Sequence, residues 1–513
     1  MEHFGILSLV PPALAIGLAV LTKNIIPSLF IGTFVGIMIY AGGNPITALE
    51  MFIRDYTFEV IASSYNAQAM AMMVIIGGFV ALMTHSGGAL AFTKKVTKVI
   101  NSKNKAQTGS WIAGILVWFT DMGNALLVGP IFATLNDKLK VSREKFAYVL
   151  DCTTSPLVSL IPIVGWGVYN MGLIQDQLDA QGITEMTSWE AFIGAIPYNF
   201  YAIMTLILCG YLAMTGNDYG PMLKAERRAE EEGKVIRDGA VPMRKTKEVN
   251  LPEGVEPKAS TMIVPVLVLL VSLFTILVSH GFPTEQVEGI NIRTAIAFGF
   301  ILGKLVLIGM LKYYNIMNFD KSLSTIVDGM TGMMFMIVVL VLAWNIGAVT
   351  EDLGTADFLV DLTEGFLSPT LLPAVTFLTG ALMALATGTS WGVFAIMFPI
   401  ALPMAFALGA PLLPTIGAVI GGGLFGDHCS PISDTTILAS MGSACDHIDH
   451  FQTQMPYAST VGVIAVIMFV LAGIFETALI LIPGTLAVIV LAFVLHKMAL
   501  YKHPKNESSK LNY

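Results

Sequence analysis

Charge is the scarcest thing in this sequence. Only 12% of its 513 residues are Asp, Glu, Lys or Arg and 55% are hydrophobic, whereas a soluble domain carries roughly 25% charged residues. A water-soluble globule is excluded on that ground. Many apolar runs are about 20 residues long, enough to cross a bilayer as helices. Cysteine is nearly as rare. Cys152, Cys209, Cys429 and Cys445 all lie in or beside apolar runs, so they leave no disulfide framework and read as small packing residues. No Lys or Arg precedes Lys23 and no small-residue cleavage pattern follows, so the first apolar run is expected to stay as a helix and not as a signal peptide. There is no phosphate-binding glycine loop, no H-E-x-x-H and no stretch of nucleic-acid-binding type. That removes support for an ATP-driven pump, a membrane protease or a nucleic-acid partner. The expectation is a protein of the lipid bilayer that is no enzyme and needs no cofactor.

What is present is a series of apolar spans whose loops carry a charge bias. Phe4–Thr22 and Ile25–Ala41 read as the first two spans, Asn44–Asn66 as an interfacial segment and Ala67–Phe92 as the third span. A loop with Lys94, Lys95, Lys98, Lys103 and Lys105 follows, and a second with Lys138, Lys140, Arg143 and Lys145. Both read as cytoplasmic. One crossing cannot join two loops on the same side, so Gly109–Leu135 is expected to enter and fold back, with its tip at Thr120-Asp121-Met122-Gly123-Asn124. Phe146–Ile174 then crosses outward, interrupted at Asp151-Cys152-Thr153-Thr154-Ser155-Pro156. The polar stretch Thr215–Ser260 reads as a solvated cytoplasmic connector.

The second half repeats the plan. Pro369–Leu408 is too long for one span and holds Thr387-Gly388-Thr389-Ser390-Trp391-Gly392 near its middle, a second hairpin candidate. Thr120-Asp121-Met122-Gly123 precedes Pro130 by the spacing at which Thr389-Ser390-Trp391-Gly392 precedes Pro399, and Ser155-Pro156-Leu157 matches Ser430-Pro431-Ile432. An odd number of crossings in the first half (about five) would set the second half upside down, the plan of many secondary transporters. The expected fold is an all-α polytopic membrane protein. It is an inverted repeat with two re-entrant hairpins, two broken helices, about 11 full crossings and its N-terminus outside. Residues 1–214 form the first repeat, 215–260 the linker, 261–476 the second repeat, and 477–513 a final helix and tail.

The stretch that carries chemistry is Gly421–Ser440, GGGLFGDHCSPISDTTILAS. Four glycines and Pro431 argue against an unbroken helix, and Asp427, His428 and Asp434 are costly at bilayer depth unless they meet a cavity, a partner or an ion. Hydroxyls of Thr154, Ser155, Thr389, Ser390, Ser430 and Thr435, with freed carbonyls, are oxygen ligands for a hard cation such as Na⁺. Asp121, Asp151, Asp427 or Asp434 supplies the negative charge, with Asn124 beside Asp121 on the first tip. Na⁺ is assigned to Asp121, Asp427 and Asp434. A carboxylate there holds a proton or Na⁺, but not both well, and that competition alone makes an exchanger. His428 is expected to act as a hydrogen-bonded partner of Asp427.

GDHCSPISDTTILAS, at Gly426–Ser440, resembles the signature of the NhaC-type Na⁺/H⁺ antiporters, members of the ion transporter superfamily, and the layout is similar along most of the chain. The resemblance implies a multi-pass protein of the bacterial inner (plasma) membrane and a homodimer with a scaffold part and a moving transport part. It carries Asp427, His428, Ser430, Asp434 and Thr435 over as site residues. It leaves the cargo open, since related members exchange Na⁺ or H⁺ against organic acids such as malate and lactate, or take up amino acids with Na⁺. Two functions therefore stand: Na⁺/H⁺ exchange through shared carboxylates, or coupled transport of a small organic anion or amino acid.

Other signals are set aside. Asp446-His447-Ile448-Asp449-His450 looks metal-like but falls at a helix end and reads as a solvated boundary. Asp328 lies in an apolar run, and Trp166, Trp344 and Trp391 sit near the polar breaks as packing or pocket residues.

Overall fold

The computed structural model describes residues 4–22, 24–88, 91, 100–118, 128–242, 258–282, 287–355, 358, 368–431 and 433–502. Every regular element among them is helical. In a bilayer only a helix or a closed barrel can satisfy its own backbone, and this chain takes the first course. Among the described residues nine helices are long and apolar enough to cross a membrane, with a tenth if the bent pair Ile26–Tyr40 and Pro45–Ala62 counts as one span. That pair turns by 116°, so the polar 45–62 segment lies aside from its neighbour.

Helix α1 (Ser64–His85) is the third expected span. It is followed by α2 (Lys103–Leu116) and α3 (Gly129–Lys138), at 14 and 10 residues both shorter than a full crossing. Lys103 Nζ lies 3.0 Å from Glu226, and Lys140 Nζ reaches the Glu230 carbonyl. Both ends of this segment therefore reach one and the same connector helix. The chain leaves from and returns to one side, as a folded-back segment must. Its expected tip, with Asp121 and Asn124, lies outside the described residues.

The first break follows. Helix α4 (Arg143–Cys152) stops at Thr153-Thr154, and a short α5 (Ser155–Val158) resumes with Pro156 in its first turn. Pro156 has no backbone N–H to give a helix continuing from α4, so the interruption is local and sequence-encoded. Helix α6 (Phe200–Thr215) leads to the connector, whose α7 (Gly220–Glu231) buries Met222, Leu223, Ala225, Glu226 and Ala229. The expectation of a solvated connector fails here. Glu226 accepts from Gln107 Nε2 (2.9 Å) and the Ser142 backbone N–H (2.8 Å), and Arg228 pairs with Glu144 at 2.9 Å. Arg237 pairs with Asp449 at 3.0 Å, and Lys145 with Asp218. Mixed local charges looked solvated, but their partners lie far away in sequence.

In the second half α8 (Gly289–Tyr313) and α9 (Phe319–Gly332) pack beside α1. A Cβ on Gly77 would stand 2.6 Å from the Gly329 carbonyl, so only glycine admits that approach of α1 and α9. Asp328 is exposed on α9.

Where a second re-entrant hairpin was expected stand α10 (Leu372–Thr387) and α11 (Ser390–Leu408), broken at Gly388, which takes φ +71°, and Thr389; each is long and apolar enough to cross a membrane by itself. Helix α12 (Leu412–His428) runs parallel to α10. Gly422 packs on the Phe377 carbonyl and Gly426, four residues on, on that of Ala381. After the second break α13 (Asp434–Ser443) packs back along α4, and α14 (His447–Phe475) closes the bundle. At 10 and 17 residues, α4 and α12 end inside the bundle.

Candidate functional site

Two helix C-termini carry the carboxylates. Asp151 is in the last turn of α4, and Asp427 and His428 are in the last turn of α12. Such an end presents free carbonyls and the negative pole of the helix dipole, so it disfavours an anion and favours a cation. Both carboxylates are nonetheless buried, at 0% and 1% exposure. Among the described residues no Lys or Arg forms an ion pair with Asp151. The ion-pairing neighbours of Asp151 are His428 Nε2 and His450 Nε2, each at 3.9 Å.

The groups around Asp151 come from three other helices. Oδ2 accepts from Thr436 Oγ1 of α13 at 2.9 Å and from Gln454 Nε2 of α14 at 2.7 Å. Its Oδ1 has no hydrogen-bond partner. Gln454 Nε2 also reaches the His428 carbonyl at 3.1 Å, which ties the end of α12 to Asp151. The other face of His428 meets Tyr201 of α6, with Nδ1 3.0 Å from the phenol oxygen. His428 was expected to partner Asp427; its polar side-chain neighbours are Tyr201 and Asp151. Asp427 Oδ2 instead accepts from Thr435 Oγ1 at 3.2 Å, and Ser433 Oγ lies 3.1 Å from that hydroxyl.

The hairpin closes on the second break. Ser390 Oγ donates to the Gly423 carbonyl (3.2 Å), and Ser430 Oγ donates to the Leu385 carbonyl (2.9 Å). The turn between α10 and α11 thus sits level with the last turns of α12. Next to it Trp391 packs on Trp166 and Tyr169, at centroid distances of 4.7 Å in both cases.

Of the expected site residues, Asp151, Asp427, His428, Ser430 and Thr435 are brought together, with Ser390 at the edge. Thr154 Oγ1 donates to the Leu150 carbonyl of its own helix at 2.6 Å. Ser155 Oγ is buried without a hydrogen-bond partner, and Thr389 precedes α11 without capping it. Asp434 begins α13. Asp121 and Asn124 lie outside the described residues.

Sequence reasoning missed Thr436, Tyr201, Gln454 and His450. The first lies inside the motif itself. His450 ends the stretch read as a solvated boundary and Gln454 lies four residues beyond it, and both are fully buried. A signal was there: His447, His450 and Gln454 recur at intervals of three and four, one face of a helix. Among the described residues no group of three His, Cys, Asp or Glu side chains could hold a metal ion as a cluster. The site is made instead of carboxylate, hydroxyl, amide and carbonyl oxygens, which suit a hard monovalent cation better than Zn²⁺.

The model of the Na⁺/H⁺ antiporter family matches residues 157–474. An uncharacterised protein of Haemophilus influenzae is 32% identical over 96% of this chain and 95% of its own length. The putative amino acid transporter YuiF of Bacillus subtilis is 24% identical over 75% of this chain and 82% of its own. Among solved structures, the YdaH transporter of Alcanivorax borkumensis matches with a TM-score of 0.56 at 14% identity, covering 81% of this chain and 88% of that one. At that identity the likeness is one of fold.

Proposed function

The chain belongs to the Na⁺/H⁺ antiporter family, a multi-pass membrane protein of secondary transport, and from that premise we propose that it exchanges Na⁺ for H⁺ at Asp151. One observation carries the reading. Asp151 is a wholly buried carboxylate on a helix C-terminus, and among the described residues it forms no ion pair with Lys or Arg. An ionised carboxylate so placed is costly unless a cation joins it or a proton neutralises it. Na⁺ and H⁺ are then alternatives for one site, and loading one releases the other. Thr436 and Gln454 hold the carboxylate in place for either occupant.

A second reading rests on a different feature. The aromatic group of Trp166, Tyr169 and Trp391 beside the α10–α11 turn would suit an organic cargo, and the relative YuiF is named a putative amino acid transporter. There Na⁺ or H⁺ at the carboxylates would drive uptake or exchange of a small organic acid or amino acid.

Purified protein in liposomes with an imposed pH gradient separates the two. Dissipation of the gradient on adding Na⁺ alone supports exchange of the two ions. A strict requirement for an organic solute supports the second reading and removes the first.

A further inference from the structure

The proposed exchange needs a route by which protons reach a carboxylate that solvent does not touch. Asp151 is wholly buried, and so are His450, Gln454 and Ser440 around it. Half-exposed His447 stands at the start of α14, on the side where the connector pairs Arg237 with Asp449. The groups between them form an unbroken sequence. His447 Nε2 lies 2.7 Å from the exposed Pro431 carbonyl, and its Nδ1 lies 3.1 Å from Ser440 Oγ. Ser440 Oγ is 2.9 Å from His450 Nδ1. His450 Nε2 is 3.1 Å from Gln454 Oε1 and 3.9 Å from Asp151 Oδ2.

The geometry points to a proton relay, His447–Ser440–His450–Asp151, linking the connector-side surface to the buried carboxylate. It rests on the reading that protons are one of the exchanged ions. Donors and acceptors match along its whole length. With His447 protonated on both nitrogens, Nε2 donates to Pro431 and Nδ1 to Ser440. Ser440 donates to His450 Nδ1, and His450 Nε2 donates to Gln454 Oε1.

One proton moves as follows. His447 gives its Nδ1 proton to Ser440 Oγ while Ser440 gives its own hydroxyl proton to His450 Nδ1. His450, now protonated on both nitrogens, releases the Nε2 proton to Asp151 Oδ2. The carboxylate becomes a carboxyl group, His447 and His450 end neutral, and Ser440 is again a hydroxyl. The final step spans 3.9 Å, a gap that a small ring rotation or one bridging water closes. Ser440 also has the Thr436 carbonyl as an acceptor at 2.8 Å. Its single proton therefore chooses between parking on Thr436 and joining the relay. Thr436 in turn donates to Asp151, so the choice is made one residue away from the site. The charged groups nearest the entrance are Asp446 and Asp449, the latter held by Arg237, with Val241 N–H on Asp446.

The test uses the full chain in liposomes, with a pH-sensitive dye inside and Na⁺, or Na⁺ with an organic acid, added outside. Loss of the Ser440 hydroxyl in Ser440→Ala should slow proton flux by roughly 100-fold, the size of a lost general acid–base group, while Ser440→Thr should retain it. His447→Ala should slow proton flux too, and imidazole added on both sides should restore it, a rescue that a purely structural defect would not show. Wild-type flux in Ser440→Ala, or no rescue of His447→Ala by imidazole, overturns the relay. If the wild type moves protons only with the organic acid, exchange of Na⁺ for H⁺ alone is wrong, and the same variants still decide the relay on that flux. A wild type that moves no protons under either condition overturns both.

Discussion

The bundle buries two sets of carboxylates and treats them in opposite ways. On the connector side Glu226 pairs with Lys103, Glu144 with Arg228, and Asp218 with Lys145, each acid being nearly or wholly buried. In the polar core, Asp151 and Asp427 are as deeply buried, yet among the described residues Asp151 meets a hydroxyl, an amide and two histidines, and no lysine or arginine. The first set is complete as it stands and works as a clamp between the connector and α2 and α4. Asp151 forms no ion pair with Lys or Arg among the described residues, and on the proposed reading a mobile cation or proton supplies the counter-charge. Burial alone does not mark a transport site. On the proposed reading, burial without a Lys or Arg partner, as at Asp151, does.

The comparison can be broken most directly at Asp151. Asp151→Asn keeps the shape and removes the charge, so Na⁺ affinity should fall by about 3–5 kcal/mol, on the order of a hundredfold or more. Coupled flux should vanish from a liposome assay while the melting temperature holds or rises. A drop in stability with flux intact would place Asp151 in the clamp class. Glu226→Ala should do the reverse. Leaving Lys103, Gln107 and the Ser142 N–H without their shared acceptor should cost about 3–5 kcal/mol of stability, seen as a lower melting temperature in detergent, with the Na⁺ dependence of the surviving protein unchanged.

A finer cut comes from Thr436→Val, which is nearly the same size and loses the hydrogen bond to Asp151 Oδ2. Bonds to charged groups contribute about 1.5–3 kcal/mol, so the apparent KM for Na⁺ should rise roughly tenfold or more. Smallest is Arg237→Ala at the exposed rim of the clamp. Ion pairs of that kind contribute about 0.2–1 kcal/mol, and flux and melting temperature should both shift only slightly. An effect as large as that of Asp151→Asn would mean that the clamp takes part in transport.

The motif at Gly426–Ser440 was readable because acids, hydroxyls and a proline in an apolar run contradict their surroundings. Both breaks, at Thr153-Thr154 and after His428, follow from Pro156 and Pro431 with their polar neighbours, which is local chemistry. Likewise the turn at Gly388-Thr389 needs only a glycine that accepts a positive φ. His450 and Gln454 were hidden for a different reason. They open a long helix, where polar residues ordinarily meet water, and only the packing of α14 against α4 and α12 turns that face inward. The connector was misread for the same cause, because Arg228 and Glu144 are 84 residues apart and Arg237 and Asp449 are 212 apart.

By itself, then, the sequence determined that the chain is helical, that it lives in a membrane, where its helices stop, and which residue types stand at those stops. These follow from hydropathy, loop charge and the fixed geometry of proline and glycine, all of which act within a few residues. Which carboxylates receive a cationic partner and which are left to wait for one was decided only in three dimensions. Pairing depends on distances between helices that the chain brings together from far apart, and a charge in sequence does not reveal what it will face.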